Sequence, residues 1–271
     1  MKKSKEKLPD WPDWSNEDKS MDDDLLKMSR ILFPYLKLLN PRIIEAIVND
    51  NKNKSAEWED KLLEAGVENF SNYFWNDSPV AFPCVRRYVK GEKKNDVAKD
   101  AIYIDDNDYP KQIWSFVFRK RSYGHYGPGG YSLAHVLDPK DYNSRLKEEF
   151  KGDFSKYSSN NSFGAFHTSA ANALYTPSGF LKPTDNDENL RMLLIELIDK
   201  TYGSVCDPFP NKWVGNYDRV PPKWRLESFA DLEQPEKVGD LSNINCFIDF
   251  RFNRMKKLIE DFPVKLKTLN N

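Results

Sequence analysis

Apolar and polar positions along the chain change their period near residue 77. Before it, apolar residues recur at helical spacing. Leu25, Leu26, Met28, Ile31, Leu32, Tyr35, Leu36 and Leu39 follow the acidic triplet Asp22-Asp23-Asp24, placed where a helix dipole favours acids. Pro34 lies inside that run and predicts a kink or a division. Asn40 and Pro41 form an N-cap and first-turn pair for a second helix ending near Val48. The polar stretch 50–55 predicts a loop, and Trp58, Leu62, Leu63, Val67 and Phe70 predict a further helix over 56–74.

Beyond Asp77 the pattern shortens. Residues 80–85 read as extended, and 101–104 and 112–118 as strands rich in β-branched and aromatic side chains. The acids Asp105, Asp106 and Asp108 between those two runs read as a solvated turn, because the glycine and later glutamate of a calcium loop are missing. A glycine-rich turn at 127–130 precedes an apolar strand over 131–138 with His135 in its middle. That turn lacks the Gly-Lys-Ser/Thr ending of a nucleotide-binding loop. A second apolar run covers 171–176, and an acid-capped helix follows over 188–202. Residues 203–240, dense in proline and tryptophan, predict an ordered irregular wrap. A closing helix over 243–262 turns Cys246, Phe247, Phe250, Met255, Leu258 and Ile259 inward.

The fold class predicted is α+β: a mobile arm over 1–20, a helical section over 21–76, and an α+β region over 77–271 holding a small antiparallel sheet and the C-terminal helix. With 271 residues and 39% hydrophobic positions the chain can bury a substantial core. No run of 18 apolar residues is present, so no membrane partner is expected. The basic start has no apolar segment behind it, which argues against a secretory signal and for the cytoplasm. Cys84, Cys206 and Cys246 are far apart and odd in number, which excludes a zinc knuckle and a disulfide framework. The net charge of −1 means that nucleic-acid binding would need a local basic patch.

The three histidines, His125, His135 and His167, fall in one segment. His125 sits in a glycine-flanked turn and reads as exposed. His167 beside Thr168 and Ser169 reads as locally bonded. His135 on an apolar strand is either a satisfied core residue or a functional one.

Three stretches together resemble the ββα-metal nuclease core shared by HNH endonucleases and by non-specific nucleases with an Arg-Gly-His motif. They are the run from Ser132 through His135 and Asp138 to Asp141, the run from Phe166 through Asn172 to Pro177, and the run from Asp187 to Glu196. The resemblance covers residues 128–202. It implies His135 as the base that activates water and Asn172 as the orienting residue. Asn189, Asp138 and Asp185 are the implied oxygen ligands of Mg2+ or Mn2+, with Asp187 an alternative. The helix over 188–202 carries no histidine, and Leu133-Ala134 stands where the second group has Arg-Gly, so the ligand set is open. Asp185 and Asp187 read equally as helix caps.

The chemistry is coherent. Phosphodiester hydrolysis needs a base, a nucleophilic water and positive charge on the developing phosphorane. A neutral imidazole is a suitable base near pH 7, and amide and carboxylate oxygens suit magnesium. Arg86, Arg87, Lys90, Lys93 and Lys94 form one basic group, and Lys111, Arg119, Lys120 and Arg121 another. Both are candidates for phosphate contacts that hold a backbone without reading sequence. The function expected is a metal-dependent DNA endonuclease of a restriction or anti-phage defence type, with RNA as an alternative substrate and a homodimer compatible. The alternative is a non-catalytic nucleic-acid- or protein-binding module of a defence system.

Overall fold

The computed structural model describes residues 17–67, 78–87, 101–105, 108–119, 130–136, 167–180, 187–208, 220–239 and 241–269; for 17–20, 118–119 and 264–269 it describes the backbone alone. The fold is α+β. Five helices are described: α1 (Glu17–Leu32), α2 (Pro41–Glu64), α3 (Asp108–Arg119), α4 (Glu188–Tyr202) and α5 (Ile244–Leu269). The strands are β1 (Lys37–Leu39), β2 (Val85–Arg87), β3 (Tyr103–Asp105), β4 (Tyr131–His135), β5 (Ala173–Pro177) and β6 (Glu236–Val238).

Pro34 ends the first helix rather than kinking it. A 3-10 turn over Phe33–Tyr35 follows α1, and Leu38 and Leu39 then lie in strand β1, not in a helix. β1 is an inner strand of a four-stranded sheet in the order β4-β5-β1-β6. It runs antiparallel to β5 with Lys37 opposite Tyr175, and parallel to β6 with Lys37 opposite Glu236. The sheet is therefore mixed, where a small antiparallel one was expected. The parallel pair brings together segments that no short turn connects. β2 and β3 form a separate parallel pair.

Helix α2 is continuous through residues 50–55, where a loop was expected. Asp and Asn have low helix propensity, but here tertiary bonds override it. Asp50 and Asn51 are buried, and both meet the guanidinium of Arg251 on α5. The Asn51 amide also donates to the Ser78 and Val80 carbonyls at 2.8 and 2.9 Å. Arg251 is wholly buried and donates as well to the Ala81 carbonyl. Burial pulls Arg251 down to about 10, and Asp50 works the other way. The segment 78–82 is thus held by polar bonds to both α2 and α5.

Residues 112–118 are helical, not extended. Residues 112–117 are all buried, and a short run buried on every side cannot be assigned by period alone. Pro110 and Asp108 at its start are helix-compatible signals. The closing helix forms as expected and buries Phe247, Met255, Leu258 and Ile259. Cys246 is exposed, against expectation. Gly239, just after β6, has φ +126°, and a Cβ there would lie 2.4 Å from Ile43 Cδ1 and 2.5 Å from Val117 Cγ1. Among the described residues no helix is long and apolar enough to cross a membrane.

Candidate functional site around His135 and His167

β4 and β5 pair antiparallel over five residues, with His135 opposite Ala173. α4 comes next among the long helices, and it contacts the 3-10 turn over Ala170–Asn172 that leads into β5. Asp187 is the N-cap of α4 and accepts from the Leu190 amide at 2.7 Å. Asn189 lies in the first turn of α4 and is half-buried.

His135 ends β4 and is partly buried. Its Nε2 lies 3.3 Å from the main-chain oxygen of His167. A carbonyl oxygen only accepts, so Nε2 carries a proton in that contact, and in the neutral ring the lone pair falls on Nδ1. The two imidazoles stack with centroids 5.6 Å apart and planes 21° apart. The next residue, Val136, donates its amide to the Asn172 carbonyl at 3.0 Å. Asn172 is wholly buried at the root of β5. The strand pairing therefore sets the backbone of Asn172 beside that of His135 and Val136.

His167 is wholly buried, and its Nε2 lies 3.4 Å from Asp105 Oδ2. Its Nδ1 is buried without a hydrogen-bond partner among the described residues. Asp105 ends β3 and also accepts the Tyr109 amide at 3.0 Å, one of the N–H groups that the start of α3 leaves without a helical partner. One carboxylate thus caps a helix and faces an imidazole. Thr168 next door anchors the histidine's backbone: its hydroxyl donates to the Phe82 carbonyl at 3.0 Å, and its own carbonyl accepts the Ala81 amide at 2.9 Å. Ala81 is the residue whose carbonyl Arg251 holds. A chain of bonds thus runs from α2 and α5 through 78–82 to His167.

A cleft of about 300 Å³ opens beside Asp105. Tyr103, Tyr109 and Phe250 give it aromatic walls, and Gln112 and Arg254 complete its polar lining. Arg254 donates from Nε to the Tyr109 hydroxyl at 3.1 Å. Burial pushes the Tyr109 phenol up to about 12, with Arg254 opposing.

Of the remaining residues assigned from sequence, Asp138, Asp185, Lys120 and Arg121 lie outside the described residues, as does His125, and only the backbone of Arg119 is described. Arg87 is half-buried at the end of β2. Arg86 is only 3% exposed and donates from Nη1 to the Arg87 carbonyl at 3.1 Å. A guanidinium so enclosed does not meet a phosphate in this conformation. Among the described residues no three His, Cys, Asp or Glu side chains gather to hold a metal, so these residues alone do not compose a metal centre.

Sequence reasoning missed three contributors. Asp105 was read as part of a solvated turn, His167 as locally bonded, and Arg251 was not singled out. The crowding of the histidines into one segment was the available signal for His167. An arginine between Phe250 and Phe252, on a helix that turns apolar residues inward, was the signal for Arg251.

No protein-family model, curated protein or solved structure matches the chain.

Proposed function

We propose that the chain is a metal-dependent endonuclease that hydrolyses phosphodiester bonds in DNA. One arrangement carries the reading. His135 ends the first of two antiparallel strands with Nε2 against a main-chain carbonyl, Asn172 lies at the root of the second strand, and a capped helix follows. A base needs its lone pair in a fixed direction before substrate arrives. The His167 carbonyl supplies that fixation by selecting the tautomer with Nδ1 basic. His135 takes a proton from water, and Asn172 holds the turn beside it.

A divalent ion, Mg2+ or Mn2+, would supply positive charge to the phosphate under attack. Asp138, Asp185 and Asn189 are the residues assigned to hold it. Arg87, Arg119, Lys120 and Arg121 are the cations assigned to the phosphate backbone. The test is supercoiled plasmid with Mg2+ or Mn2+. The native protein should nick it, and His135→Ala should slow nicking about 10²–10⁴-fold, the usual weight of a general base. Nicking that survives in His135→Ala removes His135 as the base. Binding without cleavage under either ion favours the non-catalytic module.

A further inference from the structure

We propose that the apolar stripe exposed along α1 is the docking surface for the chain's own residues 8–14. The proposal stands apart from the nuclease reading. Among the described residues, the exposed large apolar side chains are Met21, Ile31, Tyr35 and Leu63. The first three, at 70%, 68% and 57% exposure, follow one another along α1 and the 3-10 turn that continues it. Met28, half-buried, lies between Met21 and Ile31. Steps of seven and three residues keep Met21, Met28 and Ile31 on one face of an α-helix. The other side of α1 is engaged. Trp224 donates from Nε1 to Asp22 at 2.9 Å, Lys223 lies 2.7 Å from Asp23, and Arg30 lies 2.7 Å from Asp231. These contacts fix the rotation of α1 and leave the stripe turned away from them. Single exposed apolar residues need no explanation, but a gathered patch marks an interaction surface.

Residues 1–16 lie outside the described residues, and their sequence supplies the occupant. Leu8-Pro9-Asp10-Trp11-Pro12-Asp13-Trp14 repeats with a period of three: apolar, proline, aspartate. Pro9 and Pro12 fix their own φ, and each restricts the residue before it to extended backbone. The segment is thus biased to polyproline II, which has three residues per turn. Leu8, Trp11 and Trp14 then share one edge, about 9 Å apart. Two turns of α1, from Met21 to Met28, span about 10.5 Å, so the two ladders match in step. Only Ser15 and Asn16 separate Trp14 from the start of α1 at Glu17, and both residue types suit a chain reversal into a helix. Folded back, Trp14 meets Met21, Trp11 meets Met28 and Ile31, and Leu8 reaches Tyr35. Tryptophan suits such a surface, since one ring covers about 150–250 Å². A tether this short also gives the segment an effective concentration in the millimolar range, which a second copy of the chain in dilute solution does not reach.

The experiment is fluorine NMR of the full chain labelled with 5-fluorotryptophan, with the two arm signals assigned by Trp11→Phe and Trp14→Phe. The reference is a labelled peptide of residues 1–16. In the full chain both signals should be displaced from their peptide positions, and about tenfold dilution should not move them, because a tethered contact does not depend on concentration. Met21→Lys should return the Trp14 signal toward its peptide position, and Ile31→Lys the Trp11 signal. Both sites are exposed, so melting temperature should stay nearly constant. An alanine inserted between Asp13 and Trp14 breaks the period of three and should free Trp11 while Trp14 stays docked. Native signals at the peptide positions overturn the proposal. Displaced signals that neither lysine variant moves place the arm elsewhere and overturn it as well. Displacement lost on dilution assigns the stripe to a second copy and overturns docking within the chain.

Discussion

His135 and His167 hold each other twice, once ring on ring at 5.6 Å and once through the main-chain oxygen of His167 against Nε2 of His135. The second contact belongs to the backbone, so it survives substitution of the His167 side chain. What substitution removes is the link to Asp105. His167→Phe should therefore keep the stack and the carbonyl and lower plasmid nicking about 10–100-fold, the usual effect of losing an orienting partner. Asp105→Asn, whose amide oxygen still accepts from Tyr109, should leave the melting temperature nearly unchanged and lower nicking by a similar factor. A large drop in melting temperature for Asp105→Asn would show that the carboxylate serves only the helix.

Arg251→Met should destabilise the fold by about 3–5 kcal/mol, because it leaves Asp50 and the Ala81 carbonyl buried without their partner. The Lys54 ammonium, 2.6 Å from Asp50, holds the loss toward the lower figure. Adding Asp50→Leu should return part of it. Urea midpoints of the two single variants and the double variant measure the coupling.

Gly239→Ala should also destabilise, for two separate reasons. The residue sits at φ +126°, and the new methyl would meet Ile43 and Val117 well inside contact distance. A loss of about 2 kcal/mol or more in urea unfolding is expected, and an unchanged midpoint would show that the turn after β6 relaxes.

Alkaline pH should unfold the protein through its buried tyrosines. Burial pushes Tyr109 and Tyr175 up to about 12 and raises Tyr202 further. A phenol raised in the folded state contributes stability that is full below pH 10, its unfolded value. That contribution is lost as pH rises through the folded value, because the folded state then binds more protons than the unfolded one. Arg251 acts with the opposite sign above about pH 10, but it is one group against three. Melting temperature should fall between pH 10 and 12, and tyrosinate absorbance should show a late-titrating fraction that moves to pH 10 in urea.

The three thiols should separate by reactivity. Cys246 is exposed, Cys84 is buried, and burial with help from Asp207 and Asp199 pushes Cys206 up to about 12. The thiolate is the reacting form. At pH 8 a disulfide reagent should modify Cys246 rapidly and the other two only on unfolding. Two fast thiols would place Cys206 in water.

Elements with a clean amphipathic period and a chemical cap were legible in the sequence. α4 with Asp187, and α5 with its inward Phe247, Met255 and Leu258, formed where their spacing put them. So did the apolar strands around His135 and Leu174. Elements decided by partners distant in sequence were not legible. Nothing local makes residues 37–39 a strand; Glu236–Val238 and Tyr175 do. Nothing local keeps α2 helical through Asp50 and Asn51; Arg251 does, 200 residues away from Asn51. The site divided the same way. His135 and Asn172 were singled out by the resemblance to the ββα-metal core, which is carried by the order of local segments; the pairing of β4 with β5 sets their backbones side by side. Asp105 and His167, separated by 62 residues, met only in three dimensions.

The placement of β1 also sets a clock. Lys37 and its neighbour Glu236 are 199 residues apart, so a ribosome adding about 5–20 residues per second delivers β6 roughly 10–40 s after β1. For that interval Leu38 and Leu39 must remain in the nascent chain without their parallel neighbour. The strand that finishes inside the sheet is the first to be made, and the fold closes around it only when the last third of the chain arrives.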